Sequence, residues 1–240
     1  MVIYQIFSAA RIFALAGATL IAAQTATAAS WNFAAIGDGA EIDVRLADGS
    51  VVRKTGGEGN WNYADSAGNA PIVGGGAGIL DGGVTLYMTG ASTSGLADAF
   101  LDAKEAGLGV CSSLPTGCKS GVPGAASSDD NLNRAEESLT ARFSQIVRIT
   151  GLSIRDANHN LANGAFSLAG TSRSVIDGAV DPAVLALIAP SDEFTLKHIP
   201  GGTELYISSL TVAPVPLPAA MWLMLGALGG LSLLARGKAT

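Results

Sequence analysis

The chain has 240 residues and a formal net charge of −6, and 48% of its residues are hydrophobic. Arg11, Arg236 and Lys238 lie in terminal segments without acidic residues, so the middle of the chain carries 11 basic residues against 20 acidic ones. A surface with this excess of acid repels phosphate backbones, which excludes nucleic acid as an expected partner.

The N-terminus predicts a signal peptide over residues 1–28. Arg11 lies just before an apolar run over residues 12–23, and the small residues ATA follow and end at Ala28. This order is typical of a signal peptidase substrate cleaved after Ala28. A retained membrane anchor is the alternative, but about a dozen apolar residues fall short of the ~20 that cross a bilayer. We therefore expect export, with signal peptidase as a processing partner.

The middle of the chain, residues 29–213, reads as a β domain. Apolar and polar residues alternate with the period of a half-buried strand, and Asp48-Gly49 lies between two such runs as a hairpin turn. We expect nine to eleven short strands in an antiparallel β-sandwich of jelly-roll type. Two stretches favour helix, residues 94–105 and 182–189. The alternating runs cover residues 41–55, 84–90, 137–144, 147–157, 164–170, 193–199 and 203–212.

The chain has two cysteines, Cys111 and Cys118. A zinc half-site is the alternative to a disulfide, but a four-ligand site needs more Cys or His than this segment supplies. In an exported protein, two cysteines so close in sequence are expected to form a disulfide that closes a short loop.

The segment RDANHN places Asp156, Asn158 and Asn160 in the alternating oxygen pattern that begins a calcium loop. The next residue is Leu161, where an EF-hand requires glycine, so an EF-hand is excluded. Two interpretations remain open. In one, the segment is a turn whose Asp and Asn side chains bind their own backbone; in the other, it is a calcium site completed by distant oxygens such as those of Asp129 or Asp130.

Signatures of enzymes are absent from the sequence. It contains no zinc-protease, nucleophile-elbow or phosphate-loop motif, and neither His159 nor His198 has an evident nucleophile partner. The glycine-rich run over residues 73–78 lacks the strand-to-helix context of a dinucleotide site and is expected to be a loop. We therefore expect a protein that is not an enzyme.

The C-terminal segment over residues 214–240 has a distinctive order. Pro214 and Pro216 precede an apolar run over residues 217–235, which Pro218 and Ser232 interrupt, and Arg236 and Lys238 follow. The run is long enough to cross a bilayer, and the basic residues hold the C-terminus in the cytoplasm with the domain outside. A core helix of a soluble protein would need a polar face, which this run lacks. A permanent membrane anchor remains an alternative to a sorting signal.

This order resembles the VPLPA variant of the PEP-CTERM sorting signal of exported proteins from Gram-negative bacteria. The motif is Val215, Pro216, Leu217, Pro218 and Ala219. The resemblance implies processing near the motif by an exosortase, a membrane-embedded transpeptidase of the cysteine type, and then a location at the cell surface or outside the cell.

The body of the chain resembles many PEP-CTERM proteins more loosely. The runs GLGVC, SSDDN, ESLTARF, GLSIRDANHN and GGTELYISSLTV occur in this order. That likeness implies fold and location but no chemistry. Two functions follow as expectations: a non-catalytic surface or matrix protein linked to extracellular polymer or biofilm, or a calcium-stabilised carbohydrate-binding module. Exposed aromatic rings would favour the second, and the candidates are Trp31, Trp61, Tyr63 and Tyr87.

Overall fold

Antiparallel β-strands make up most of the chain where its structure is described. A computed structural model describes residues 27–62, 71–74, 76–93, 95–112, 114, 118, 131–133 and 137–216. Thr27–Val215 form one compact unit. The all-β class expected from the alternating pattern is confirmed.

The described residues contain thirteen strands and two short helices. The helices are α1 (Phe33–Gly37) and α2 (Pro182–Ala186). The strands are β1 (Ala29–Asn32), β2 (Glu41–Arg45), β3 (Val51–Thr55), β4 (Gly59–Asn60), β5 (Gly78–Asp81), β6 (Val84–Ala91), β7 (Asp98–Asp102), β8 (Gly107–Cys111), β9 (Ser138–Asp156), β10 (Gly164–Leu168), β11 (Thr171–Val175), β12 (Ser191–Lys197) and β13 (Leu205–Pro214).

Hydrogen bonds connect all the strands in one network, in the order β3-β2-β5-β6-β9-β13-β8-β7-β4. Strand β1 pairs with β13, and β12 links β9 to the β10–β11 hairpin. The first half of β9 pairs with both β6 and β12, which therefore occupy its two opposite edges. Its second half pairs with β13. One long strand thus joins two groups of strands.

The core is a single apolar cluster to which nearly every strand contributes. Trp31, Phe143 and Phe194 form its aromatic centre, with the ring of Phe143 6.0 Å from each of the other two. These rings come from β1, β9 and β12. Core packing therefore connects segments that are far apart in sequence.

The predicted hairpin over residues 41–55 is confirmed. Strands β2 and β3 pair from Glu41 opposite Thr55 to Arg45 opposite Val51. In the turn, Asp48 Oδ1 accepts hydrogen bonds from the backbone N–H of Ser50 at 2.9 Å and from its hydroxyl at 2.7 Å. These bonds hold the pKa of Asp48 below its ordinary value.

Of the two predicted helices, one is confirmed and the other is wrong. Helix α2 begins with Pro182, and the side chain of Asp181 accepts a hydrogen bond from Ala183 N at 2.8 Å as its N-cap. The helix expected over residues 94–105 is instead β7, whose residues 98–101 are all buried. Strands β4 and β8 pair with β7, and this burial between partners overrides the local preference for helix.

Most of the two predicted targeting segments, residues 1–26 and 217–240, lies outside the described residues. Within the described ranges, no helix is long and apolar enough to cross a membrane. The predicted span over residues 217–235 therefore stays a prediction.

Gly90 marks a close approach of β6 to β7. A Cβ at this position would lie 2.6 Å from the backbone N of Ala99, well inside contact distance. We expect Gly90→Ala to lower the free energy of unfolding by about 3 kcal/mol, because backbone must move to admit the methyl group. Chemical denaturation measures the change.

Gly151 provides a matched control, since it also lies inside a paired strand but a Cβ there would lie 3.3 Å from the Thr211 Cβ. Gly151→Ala should change the free energy of unfolding by less than about 1 kcal/mol. Equal losses in the two variants would contradict the close approach at Gly90.

Candidate functional site

The described part of the chain reaches into the predicted sorting motif. Strand β13 ends at Pro214, and the Val215 N–H donates a hydrogen bond to Ile146 O at 3.0 Å. Val215 is 38% exposed, and Pro216 after it is exposed. The remaining predicted residues, Leu217, Pro218, Ala219, Arg236 and Lys238, lie outside the described ranges.

The predicted signal peptidase site lies beside this end of β13. Ala29 pairs with Val212, and Trp31 pairs with Leu210. Ala29 is completely buried, whereas Ala28 is exposed. The two predicted processing points therefore lie at the ends of two neighbouring strands.

The predicted disulfide between Cys111 and Cys118 is confirmed. Both cysteines are buried, and they pack with Phe100 and Leu114 in a small cluster apart from the main core. The bridge therefore attaches Cys118 to the end of β8, beside Phe100 of β7.

The three predicted calcium ligands lie in the turn after β9. Asp156 Oδ1 accepts hydrogen bonds from Asn158 N at 2.8 Å and from Asn160 N at 2.9 Å. This is the geometry of an Asp side chain that caps its own turn. Among the residues that the structure describes, no group of three His, Cys, Asp or Glu could hold a metal ion. Asp129 and Asp130 lie outside them, and calcium binding stays a prediction.

The aromatic residues considered for sugar stacking are mostly unavailable at the surface. Trp31 and Trp61 are buried, with exposed fractions of 2% and 0%. Tyr63 lies outside the described residues. Tyr87 is partly exposed, and the guanidinium carbon of Arg142 lies 5.5 Å from the centre of its ring. A sugar that stacked on this face of Tyr87 would have to displace Arg142.

A polar cluster that sequence reasoning missed lies between the β7–β8 turn and the turn after β9. His159 Nε2 is 3.1 Å from Asp102 Oδ2, and His159 Nδ1 is 3.1 Å from the backbone oxygen of Lys104. The Tyr206 hydroxyl donates a hydrogen bond to the Asp102 carboxylate. The Tyr206 ring meets the imidazole edge-on, with 5.5 Å between their centres.

The two turns joined by this cluster have unusual backbone conformations. Lys104, Glu105 and His159 have φ angles of 57°, 65° and 64°, in the left-handed region that residues other than glycine rarely adopt. Asp38 holds the first turn by accepting hydrogen bonds from Lys104 N at 2.6 Å and Glu105 N at 3.1 Å. Arg155 holds the second by donating to His159 O at 2.6 Å.

The chemistry of the cluster is that of a shared proton. A carbonyl oxygen only accepts hydrogen bonds, so His159 Nδ1 must carry a proton. The contact between Nε2 and Asp102 then requires one further proton, either on the imidazole or on the carboxylate. Burial raises the pKa of Asp102 above its ordinary value, while His159 and the Tyr206 hydroxyl act in the opposite direction. A proton shared between His159 Nε2 and the Asp102 carboxylate can therefore link the β7–β8 turn to the turn after β9.

No signal in the sequence would have located this cluster. Asp102 and His159 are 57 positions apart, and the mistaken helix over residues 94–105 placed Asp102 in the wrong element. The two turns come together because β13 pairs with β9 on one side and with β8, the partner of β7, on the other.

Asp102 and Asp43 should affect stability with opposite pH dependence. The folded-state pKa of Asp102 is raised, so its favourable contribution is complete below the ordinary value of 3.8 and is lost as the pH rises through the folded pKa. The pKa of Asp43 is lowered by a hydrogen bond from Arg53, so its contribution is present above 3.8 and is lost as the pH falls.

We therefore expect the stability advantage of the wild type over Asp102→Asn to shrink as the pH rises from about 3 to about 5, and its advantage over Asp43→Asn to grow. Urea denaturation of the three proteins across this range measures both differences. A change in the same direction for both variants would contradict the assignment.

The disulfide should add a modest amount of stability because it closes a short loop. Replacing both cysteines by alanine is expected to lower the free energy of unfolding by about 2 kcal/mol. As a control, a reductant should destabilise the wild type and leave the double variant unchanged. Mass spectrometry that finds two free thiols in freshly isolated, non-reduced protein would contradict the bond.

Comparison of the chain with family models, with curated proteins and with solved structures finds no match in any of the three.

Proposed function

We propose that the chain is the precursor of an exported, non-catalytic surface or matrix protein. Its signal peptide (residues 1–28) starts export, its β domain (residues 29–213) folds outside the cytoplasm, and its C-terminal segment (residues 214–240) is a VPLPA-type sorting signal. The β domain is a sandwich of jelly-roll type. The path of β9 supports this architecture, because one strand contributes to two groups of strands around a single core.

The observation that carries the sorting proposal is the hydrogen bond that joins the first residue of the motif to the sheet. The Val215 N–H donates to Ile146 O, and the exposed Pro216 follows it. Pro216 and Pro218 have no backbone N–H and favour extended backbone before them. We therefore infer that the motif is extended between the β domain and the membrane span, the form in which proteases bind substrates.

The partner is an exosortase-type transpeptidase in the inner membrane. Its cysteine attacks a backbone carbonyl near the motif, the peptide bond breaks, and the span leaves with the new amine. The β domain then remains joined to the enzyme as a thioester until a nucleophile accepts it. Before this step the precursor lies with its domain outside and its C-terminus in the cytoplasm; afterwards it belongs to the cell surface or the medium.

The domain itself serves binding or assembly, for example within extracellular polysaccharide. A calcium-stabilised carbohydrate-binding module is the second function considered, and two observations weigh against it. Trp31 and Trp61 are buried in the core, so neither can stack on a sugar. Asp156 already caps its own turn with its carboxylate. We therefore favour the surface or matrix role.

Replacing residues 215–219 by a neutral linker of the same length tests the sorting function. If the motif is read by a protease, the variant should accumulate as uncut precursor in the inner membrane, while the wild type is processed. If residues 217–235 are only an anchor, the variant and the wild type should have the same size and the same membrane fraction. Immunoblots of fractionated cells distinguish the two results.

The two basic residues near the C-terminus, Arg236 and Lys238, supply a separate control. Arg236→Glu with Lys238→Asp removes the charge that retains the C-terminus in the cytoplasm, so part of the chain should pass through the membrane. A full-length, membrane-bound product that is the same for the wild type and both variants would defeat the sorting proposal.

A further inference from the structure

An open polar groove lies on the surface where β9 pairs with β12, and we call it the hydroxyl groove. Its volume is about 530 Å³, which is within the range of ligand sites. Strand β9 contributes Ser138 and Thr140 to its lining, and β12 contributes Glu193, Thr195 and Lys197. Sites for small organic molecules are lined mainly by apolar side chains. An occupant of this groove must instead be held mainly by hydrogen bonds.

The groove lies on the face of the sheet that points away from the core. Leu139, Ala141 and Leu196 are buried in the core cluster, and side chains alternate between the two faces along each strand. Thr140 and Thr195 therefore project outward, and both are half-buried. They lie opposite each other in the β9–β12 pair, with 3.2 Å between their hydroxyl oxygens. These two hydroxyls form the floor of the groove.

The row of short side chains continues across the sheet on both sides of this floor. Thr89 of β6 pairs with Thr140, so three threonines stand side by side about 4.8 Å apart. On the other side, the Ala169 N–H donates to Thr195 O at 3.0 Å, and both Ala169 and Gly170 of the β10–β11 turn line the groove. The side chains along this row are all small. A chain-like ligand can therefore run across the strands.

Charged side chains flank the row, and their net charge is small. Arg142 lies opposite Glu193 on one neighbouring rung, and Lys197 lies opposite Ser138 on the other. The charges of Arg142 and Glu193 offset each other, which leaves an excess of one cation. The middle of the chain as a whole carries 11 basic and 20 acidic residues and so repels polyanions. Both observations favour an occupant without charge.

We propose that the hydroxyl groove binds a neutral polysaccharide whose chain runs across β9 and β12. A polysaccharide carries hydroxyl groups along its whole length, and each can donate and accept hydrogen bonds with the hydroxyls of serine and threonine. The Lys197 ammonium supplies further donors, and the Glu193 carboxylate supplies acceptors. The binding requires neither calcium nor an exposed aromatic ring. This inference rests on the proposed function, because the domain meets extracellular polysaccharide only after export.

Affinity electrophoresis of the full-length chain in detergent tests the groove. The native gels contain dextran, galactomannan or mixed-linkage β-glucan as neutral probes, alginate as an acidic probe, or no polysaccharide. We expect at least one neutral probe to retard the chain equally in low and high salt, because the ligand carries no charge. Retardation by alginate alone, retardation that high salt abolishes, or no retardation in any gel would overturn the proposal.

Thr140→Val with Thr195→Val removes the two floor hydroxyls and keeps the size and branching of the side chains. We expect this groove variant to bind at least about tenfold more weakly than the wild type, because its hydrogen bonds to the sugar are lost. Thr55→Val with Thr150→Val is the matched control, since it changes two exposed threonines on strands outside the groove and should bind as the wild type does. Equal binding by the wild type and the groove variant, or equal weakening in both variants, would overturn the groove as the site.

The fate of these proteins in cells separates this proposal from the sorting proposal. The groove lies outside both predicted targeting segments, so the groove variant should be processed and fractionated as the wild type is. Absence of polysaccharide binding by a wild type that is processed normally would overturn the groove and leave the sorting proposal intact. Binding that depends on the groove, in a chain whose processing does not depend on residues 215–219, would support the groove and overturn the sorting proposal.

Discussion

The bend of β9 is the constraint on which the rest of the described structure depends. Buried and exposed residues alternate up to Phe143, residues 144–146 are all exposed, and the alternation resumes at Val147. A bulge at Thr150, which has no partner between the Thr211–Gly151 and Val212–Ile149 pairs, then shifts the buried positions by one residue. The bend and the bulge together turn the apolar side of both halves toward the same core. The end of β13 pairs with β9 at the same place, where Pro214 lies opposite Val147.

Period-two alternation predicted those parts of the fold that face water on one side. The β2–β3 hairpin and β13 follow it, whereas the two runs expected over residues 137–144 and 147–157 form one continuous strand, β9. Strand β7 does not follow it, because its residues 98–101 are all buried and its apolar run, residues 99–101, shows no alternation. Such a run cannot be distinguished from a buried helix by periodicity. The second strand of its hairpin, β8, is also buried throughout.

The candidate sites show a similar division between local and distant contacts. The disulfide joins cysteines close in sequence, and the predicted export gives a chemical reason to expect it. The alternating oxygens of RDANHN are compatible with a turn and with a calcium site, and the hydrogen bonds of Asp156 are those of a turn. The contact between Asp102 and His159 depends on tertiary pairing, so neither its existence nor the raised pKa of Asp102 could be read from residue order.

Chain order couples the completion of the fold to the two predicted processing events. Strand β1 is the first strand of the described chain, yet it pairs with β13, the last. Ala29 is therefore buried only after β13 has arrived, and until then the bond after Ala28 lies in unpaired chain that a peptidase can reach. Pairing of β13 also brings Val215 to Ile146, which fixes the start of the proline strip at the corner of β9. The pairing that would close the N-terminal site thus also positions the C-terminal one, so signal cleavage should precede folding and sorting should follow it.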